Sequence, residues 1–288
     1  MKKNEFTYTA VIVASLAAFA VFAEEAKDAG GFTNLVTKAH EWVSLSAFAE
    51  IQSAYLARGM VIDSHPFSAQ FVDGEIKLGK FGHFGGHAWS VTSLSGTGQG
   101  AAKRNAYNEV DYNLHYVYDW SLADEWTLEN RVARQWVTLP GYHGKASTFC
   151  EWHAAQTLHN PYVTPYWLLR HCCRPSPWNY WDLGLKRSFE VWDDLTFTID
   201  FFGELGDEHH FVAQYGPNVG GAHYHGGLQA LNLVLRLDYK ITENLGIYAF
   251  VWQFDLVSDD ARDTVKASPA PESKRDLTVF GAGLSLNF

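Results

Sequence analysis

The chain has 288 residues and a formal charge of −10, and only 19% of it is Asp, Glu, Lys or Arg. An acidic chain of this kind lacks the electrostatic footprint of a nucleic-acid binder. No stretch beyond the N-terminus approaches the ~20 apolar residues of a membrane-spanning helix, which excludes a helical bundle in a membrane. Aromatic residues make up 15% of the chain, with 11 Trp and 14 Tyr, the residue types that concentrate where protein meets the membrane–water boundary.

Read from the start, "MKKNEFTYT" carries Lys2 and Lys3 ahead of the apolar run "AVIVASLAAFAVFA". Val21 and Ala23 fit signal-peptidase cleavage before Glu24, so residues 1–23 are expected to be an export signal. Lys2, Lys3 and Glu5 together carry +1, so the mature chain stands at −11. Residues 24–41 are expected to be a short periplasmic segment, helical or extended, and residues 42–288 a single domain.

That domain alternates apolar and polar residues with period two, the pattern of β-strands with one greasy face. Twelve strands are expected, near 43–56, 66–79, 84–94, 109–120, 126–138, 149–158, 163–173, 179–190, 195–205, 227–241, 246–257 and 276–288. Asp73-Gly74 reads as a bulge or a turn within the second, and the faces of 163–173 are unclear. Asn130 and Arg134 fall on the nominal outer face, where a bulge would shift the register. Strands of ten or more residues exceed the ~5–6 of soluble sheets and match the ~9–11 of transmembrane barrels. Short links ("KFGH", "SLADE", "HNPYV", "WDD", "TENL") alternate with mostly long ones ("SGTGQGAAKRNAYN", "GDEHHFVAQYGPNVGGAHYHG"). Short periplasmic turns and long external loops have this signature. The expected fold is therefore all-β, one transmembrane antiparallel barrel of about twelve strands in a bacterial outer membrane.

In the last strand Phe280, Ala282, Leu284, Leu286 and Phe288 share one face. Phe280, Leu284, Leu286 and the terminal Phe288 resemble the C-terminal signal that barrel-assembly machinery reads. That resemblance implies this machinery and periplasmic chaperones as biogenesis partners, with outer-membrane lipid around a monomer. The stretch "SAYLARGMVIDSHPFSAQF" carries Ser53, Tyr55, Arg58, Gly59 and Pro66. It resembles the opening of an uncharacterised family of bacterial outer-membrane proteins, with a strand ending in Ser-x-Tyr-x-x-Arg-Gly and a proline-started second strand. The likeness extends diffusely over residues 45–190, through "NEVDYNLHYVYDW" and "CEWHAAQTLHNP", and includes no catalytic motif.

The faces opposite the greasy ones carry Glu50, Asp111, His115, Asp119, Glu129, Arg131, Asp182, Lys186, Asp200, Glu204, Arg236, Asp238, Lys240 and Asp255. They are expected to line either a hydrated lumen or an interior closed by salt bridges. The first implies passive diffusion of small hydrophilic solutes; the second, a closed surface or adhesion barrel acting through its loops. A rim-sited lipid hydrolase is disfavoured, since no G-x-S-x-G occurs and His153 has no serine placed to serve it. No cofactor is expected. His209, His210, His223 and His225 gather in one loop, where a metal site is conceivable, although adjacent His209 and His210 point apart on an extended chain.

Cys150, Cys172 and Cys173 are the only cysteines. A hairpin about Pro161-Tyr162 opposes residues whose numbers sum to 323, which predicts a Cys150–Cys173 disulfide, or Cys150–Cys172 after a one-residue slip. Trp120, Trp126, Trp192 and Tyr239 are expected to form the periplasmic girdle, with Trp136, Trp178 and Trp181 forming the external one. Arg187, on a lipid-facing position, would snorkel to the boundary.

Overall fold

The computed structural model describes residues 42–94, 107–139, 148–174, 176–215, 224–267 and 275–288. The expected signal (1–23) and N-terminal segment (24–41) lie outside the described residues. Strand β1 (Val43–Gln52) is followed by two short strands, β2 (Tyr55–Ala57) and β3 (Met60–Asp63). Eleven long strands come next: β4 (Phe67–Lys77), β5 (His83–Ser93), β6 (Tyr107–Ala123), β7 (Trp126–Thr138), β8 (Thr148–His159), β9 (Thr164–Arg174), β10 (Trp178–Trp192), β11 (Leu195–Gly206), β12 (Gly227–Lys240), β13 (Leu245–Leu256) and β14 (Asp276–Asn287). Helix α1 (Glu208–Tyr215) lies between β11 and β12, and α2 (Asp259–Ala267) between β13 and β14.

The long strands and β1 close into one antiparallel barrel of twelve, each paired with its sequence neighbour and β1 paired with β14. The terminal residue makes this closure: the Phe288 amide donates to Leu45 O at 2.8 Å, and the Leu45 amide to Phe288 O at 3.0 Å. Closure leaves the barrel sheet with no free edge, the condition for strands to cross a bilayer. Among the described residues no helix is long and apolar enough to cross a membrane.

The outward face is greasy and uncovered, as at Leu114 (50% exposed), Leu183 (50%) and Phe280 (59%). Trp120, Trp192 and Tyr239 stand exposed near the short-turn end, where a membrane-boundary belt belongs. Arg187 also faces out and donates to the carbonyls of Pro161 and Tyr162 in a short turn. Asn130 keeps its outward place in a regular ladder, and Gln156 satisfies it with a 2.8 Å hydrogen bond.

Several expectations need correction. The first strand ends at Gln52, not residue 56; Ser53 anchors to Phe280 and the chain then leaves the sheet. The ladder runs straight through Asp73-Gly74, which pair with Ser46 and Leu45. Strand β13 is inverted. Tyr248, Phe250, Trp252, Phe254 and Leu256 point inward, and Asp255 points outward opposite Asp276. Both faces of that strand are largely apolar, so alternation alone does not orient it. The inner glycines of β14 do: a Cβ on Gly281 would lie 2.2 Å from the Phe250 ring, and one on Gly283 would lie 2.7 Å from Tyr248. Those rings need that space. Trp178 likewise points in, 4% exposed beside Cys172 and Tyr180, and is no part of a girdle.

The Cys150–Cys173 bridge is not made. Opposed numbers do sum to 323 from Glu151–Cys172 to Thr157–Tyr166, but a bulge at Cys150 pairs it with Arg174 and skips Cys173. The outward Arg134 guanidinium stands between the two sulfurs, 2.9 Å from Cys150 Sγ and 3.3 Å from Cys173 Sγ. All three cysteines are free thiols.

Candidate functional site: the barrel lumen

Residues 53–66 do not project from the long-loop end. They fold back as the β2–β3 hairpin, turned by Arg58-Gly59 with φ of +50° and +74°. A two-residue turn with both φ positive is the one whose twist suits a tight hairpin. Glycine meets that demand freely, whereas arginine does so at a cost.

The tip of the hairpin crosses the lumen. Arg58 Nε donates to Glu151 Oε1 of β8 at 3.2 Å, and Nη1 lies 3.8 Å from Glu109 of β6. Tyr55 donates to Glu109 at 2.7 Å, while Ser93 of β5 donates to Asp63 at 3.1 Å. On the opposite wall the Gln229 amide donates to Gly59 O at 3.0 Å, and Tyr215 of α1 donates to the same carbonyl at 2.6 Å. Behind these bonds Leu56 and Val61 of the hairpin, Phe211 of α1, Ala261 of α2 and Phe254 of β13 form a buried apolar cluster. His210 of α1 lies against the Trp178 and Tyr180 rings at 5.0 and 4.7 Å. Burial, reinforced by the Arg58 charge, pushes its imidazole down to about 4. The motif Ser53-x-Tyr55-x-x-Arg58-Gly59 is therefore the chemistry of an inserted plug, not the end of a strand.

Below the plug the wall is polar. Glu50, Asp111, His115, Asp119, Glu129, Arg131, Asp182, Lys186, Asp200, Glu204, Arg236, Asp238 and Lys240 all alternate inward; Asp255 alone among the expected lining residues does not. They divide into separate groups. Arg170 donates to Asp182 at 2.6 Å, Tyr180 donates to Glu204, and Tyr166 donates to Asp200 at 2.9 Å. Across the barrel Tyr248 donates to Glu50 at 2.7 Å, and Arg236 pairs with Asp238. A cavity of about 740 Å³ opens beside the Asn160-Pro161 turn, lined by Glu129, His159, Tyr166, Lys186 and Asp200.

A third group joins His115 to three residues that period-two reading did not single out. Asp73 and Glu75 of β4, His87 of β5 and His115 of β6 meet on one patch of wall. One ligand atom each from Asp73, His87 and His115 lies within 4.8 Å of the other two. The alternation Asp73-x-Glu75-x-Lys77 was the available signal, obscured by the Gly74 that suggested a turn. Among the described residues the loop histidines do not gather in this way. His210 is buried in α1, His225 pairs with Asp260 at 3.0 Å, His209 is exposed, and His223 lies outside the described residues.

No family model matches this chain, and no curated protein matches it. Solved structures do. An outer-membrane channel from Pseudomonas putida F1 shares 8% identity over 86% of this chain and 96% of its own, with a TM-score of 0.52. The NanC porin shares 10% over 84% and 98%, at 0.49, and outer membrane phospholipase A from Escherichia coli 12% over 84% and 92%, at 0.46. At such identities the likeness is one of fold, and in fold this chain is a closed twelve-stranded outer-membrane β-barrel.

Proposed function

We propose that this protein is a porin-like channel of the bacterial outer membrane, passing small hydrophilic solutes by passive diffusion, with the β2–β3 hairpin as its external constriction. The observation that carries the reading is the inner wall: acidic and basic side chains, among them Glu129, Lys186 and Asp200, face a cavity that opens beside the Asn160-Pro161 short turn. A barrel needing only to be filled would close that space with apolar side chains, as the opposite end does. Outer-membrane lipid covers the greasy belt of a monomer. Phe280, Leu284, Leu286 and Phe288 are the segment we assign to the assembly machinery, after escort by periplasmic chaperones. The Ser53-to-Gly59 motif supports placing the chain with the uncharacterised family whose opening it resembles.

A second reading rests on the apolar cluster at the long-loop end: the barrel is closed and acts as a surface protein. Planar-bilayer recording of the refolded chain separates the two. Discrete conductance steps support the channel, and they should grow when residues 55–63 are replaced by a short Gly-Ser link. Steps appearing only after that replacement establish the closed barrel; none in either chain removes passage altogether. The hydrolase alternative is not favoured, because His153 points into the lumen with Nε2 held 2.9 Å from Glu151. Hydrolysis of phospholipid in mixed micelles would reverse that reading.

A further inference from the structure

The Asp73, His87 and His115 cluster sets two unpartnered buried atoms face to face. Asp73 Oδ1 and His87 Nδ1 are buried with no hydrogen-bond partner. Orphaned buried polar atoms are costly and rare, and they call for a missing partner. These two point at each other across 3.9 Å, and His115 Nε2 lies 3.9 Å from the same carboxylate oxygen. Ligand bonds of about 2.1 Å set the donor atoms of a tetrahedral shell about 3.4 Å apart, so small side-chain rotations bring all three into range. Glu75 Oε1, 3.1 Å from His115 Nε2, is within reach as a fourth donor.

The surroundings of His115 provide for both a filled and an unfilled state. Arg131 Nη2 lies 3.0 Å from Nδ1, and an arginine only donates, so in this arrangement the ring proton sits on Nε2 and points to Glu75. Asn113 Oδ1 lies 3.2 Å from the same Nδ1. If Arg131 swings away and the proton moves to Nδ1, Asn113 accepts it and Nε2 presents its lone pair to the cluster. A carbonyl oxygen holding the far nitrogen of a ligating histidine is the usual outer-shell support of a metal site. His87 is held by its ring contact with Phe71 at 5.0 Å. The three donors come from adjacent paired strands, a rigid base that needs no loop to order.

We propose that Asp73, His87 and His115, with Glu75 completing the shell, bind one divalent transition-metal ion of the zinc class on the lumen wall. Two imidazoles and carboxylate oxygens select such ions over calcium or magnesium, which prefer all-oxygen shells. The test uses the refolded full chain in detergent, titrated with Co²⁺ and read by visible absorption, then with Zn²⁺ by calorimetry. One ion per chain at micromolar affinity or tighter is expected. The His87→Ala/His115→Ala variant should bind at least about 100-fold more weakly, and Asp73→Asn, nearly isosteric, at least about 10-fold. A His209→Ala/His225→Ala variant should bind as the parent does. Heat-modifiable migration on gels reports whether each barrel is folded. If the double variant does not fold, Asp73→Asn carries the comparison. No binding by the parent, unchanged binding by the lumen variants, or loss in the loop variant overturns the proposal. None of these readouts involves transport, so the site stands or falls separately from the channel.

Discussion

The two ends of the lumen solve opposite problems with the same wall. At the long-loop end the space is filled. A hairpin, two helices and inward aromatics bury one another, and charges there are matched in fixed geometry, as Arg58 is with Glu151, whose side chain is 0% exposed. At the short-turn end the space is left open, and pairs such as Arg236–Asp238 remain more than a third exposed. Buried ion pairs are expensive to break and solvated ones are nearly free. Substitutions at the two ends should therefore differ mainly in magnitude, and that difference can be measured.

The largest effect belongs to Arg58. Arg58→Met removes the guanidinium that sits between two buried carboxylates, 3.2 Å from Glu151 and 3.8 Å from Glu109, and leaves both without it. Breaking a buried pair by deleting one partner costs about 3–5 kcal/mol. The hairpin should lose its hydrogen-exchange protection over residues 55–63, and single-channel conductance should rise. Protection equal to the parent's would mean that the apolar cluster alone seats the plug. Arg58→Lys should rescue only in part, because an ammonium cannot fork between the two carboxylates.

Nearly as large is a pH effect from His210. Its imidazole titrates at about 4 when folded, against 6.5 when free. Because the unfolded loop takes up the proton first, stability is present above 6.5 and declines as pH falls towards 4. The span of about 2.5 pH units corresponds to about 3 kcal/mol. Arg58 and Asp207 are the charges acting on the ring, and only the second favours its protonation. Amides of α1 should open between pH 6.5 and 4.5 beyond their intrinsic exchange, and His210→Phe should abolish that dependence. An identical profile in the variant would assign the acid sensitivity to carboxylates.

Gly59→Ala should cost less, about 1–2 kcal/mol, the usual penalty for a side chain in the left-handed region. The added Cβ would lie 2.3 Å from the Gln229 amide that caps the turn, so hairpin protection falls without freeing a charge. A neutral result would show that Gln229 repositions without loss.

What the sequence disclosed follows from which signals repeat. Twelve strands, their alternation and the turn-length asymmetry each recur, so eleven of the twelve strand spans match closely. The failures are local. In β13 aromatic residues on one face face aliphatic ones on the other, and only the neighbouring glycines Gly281 and Gly283 reveal which side is crowded. The Cys150–Cys173 pairing fails through a single bulge, which no count of opposed residues registers. The plug and the Asp73–His87–His115 patch depend on tertiary closure, since their members lie on different strands or on a loop turned inward. The Arg58-Gly59 pair was the one local trace of the plug, a hairpin turn within what otherwise reads as the end of a strand.

The smallest expected effect lies at the open end. Arg236 packs 3.8 Å from the centre of the Tyr248 ring and pairs with Asp238 at 2.9 Å, yet it is 37% exposed. Arg236→Gln should change stability by less than about 1 kcal/mol, because solvent screens the lost pair. Permeation should respond more than stability does. The substitution removes the cation that pairs with Asp238 and makes the lumen one charge more negative, so cations should be favoured. The measurement is the zero-current potential across a KCl gradient, which should move towards the potassium equilibrium value in the variant. If it stays in place while Arg58→Met alters conductance, ions do not pass close to Arg236.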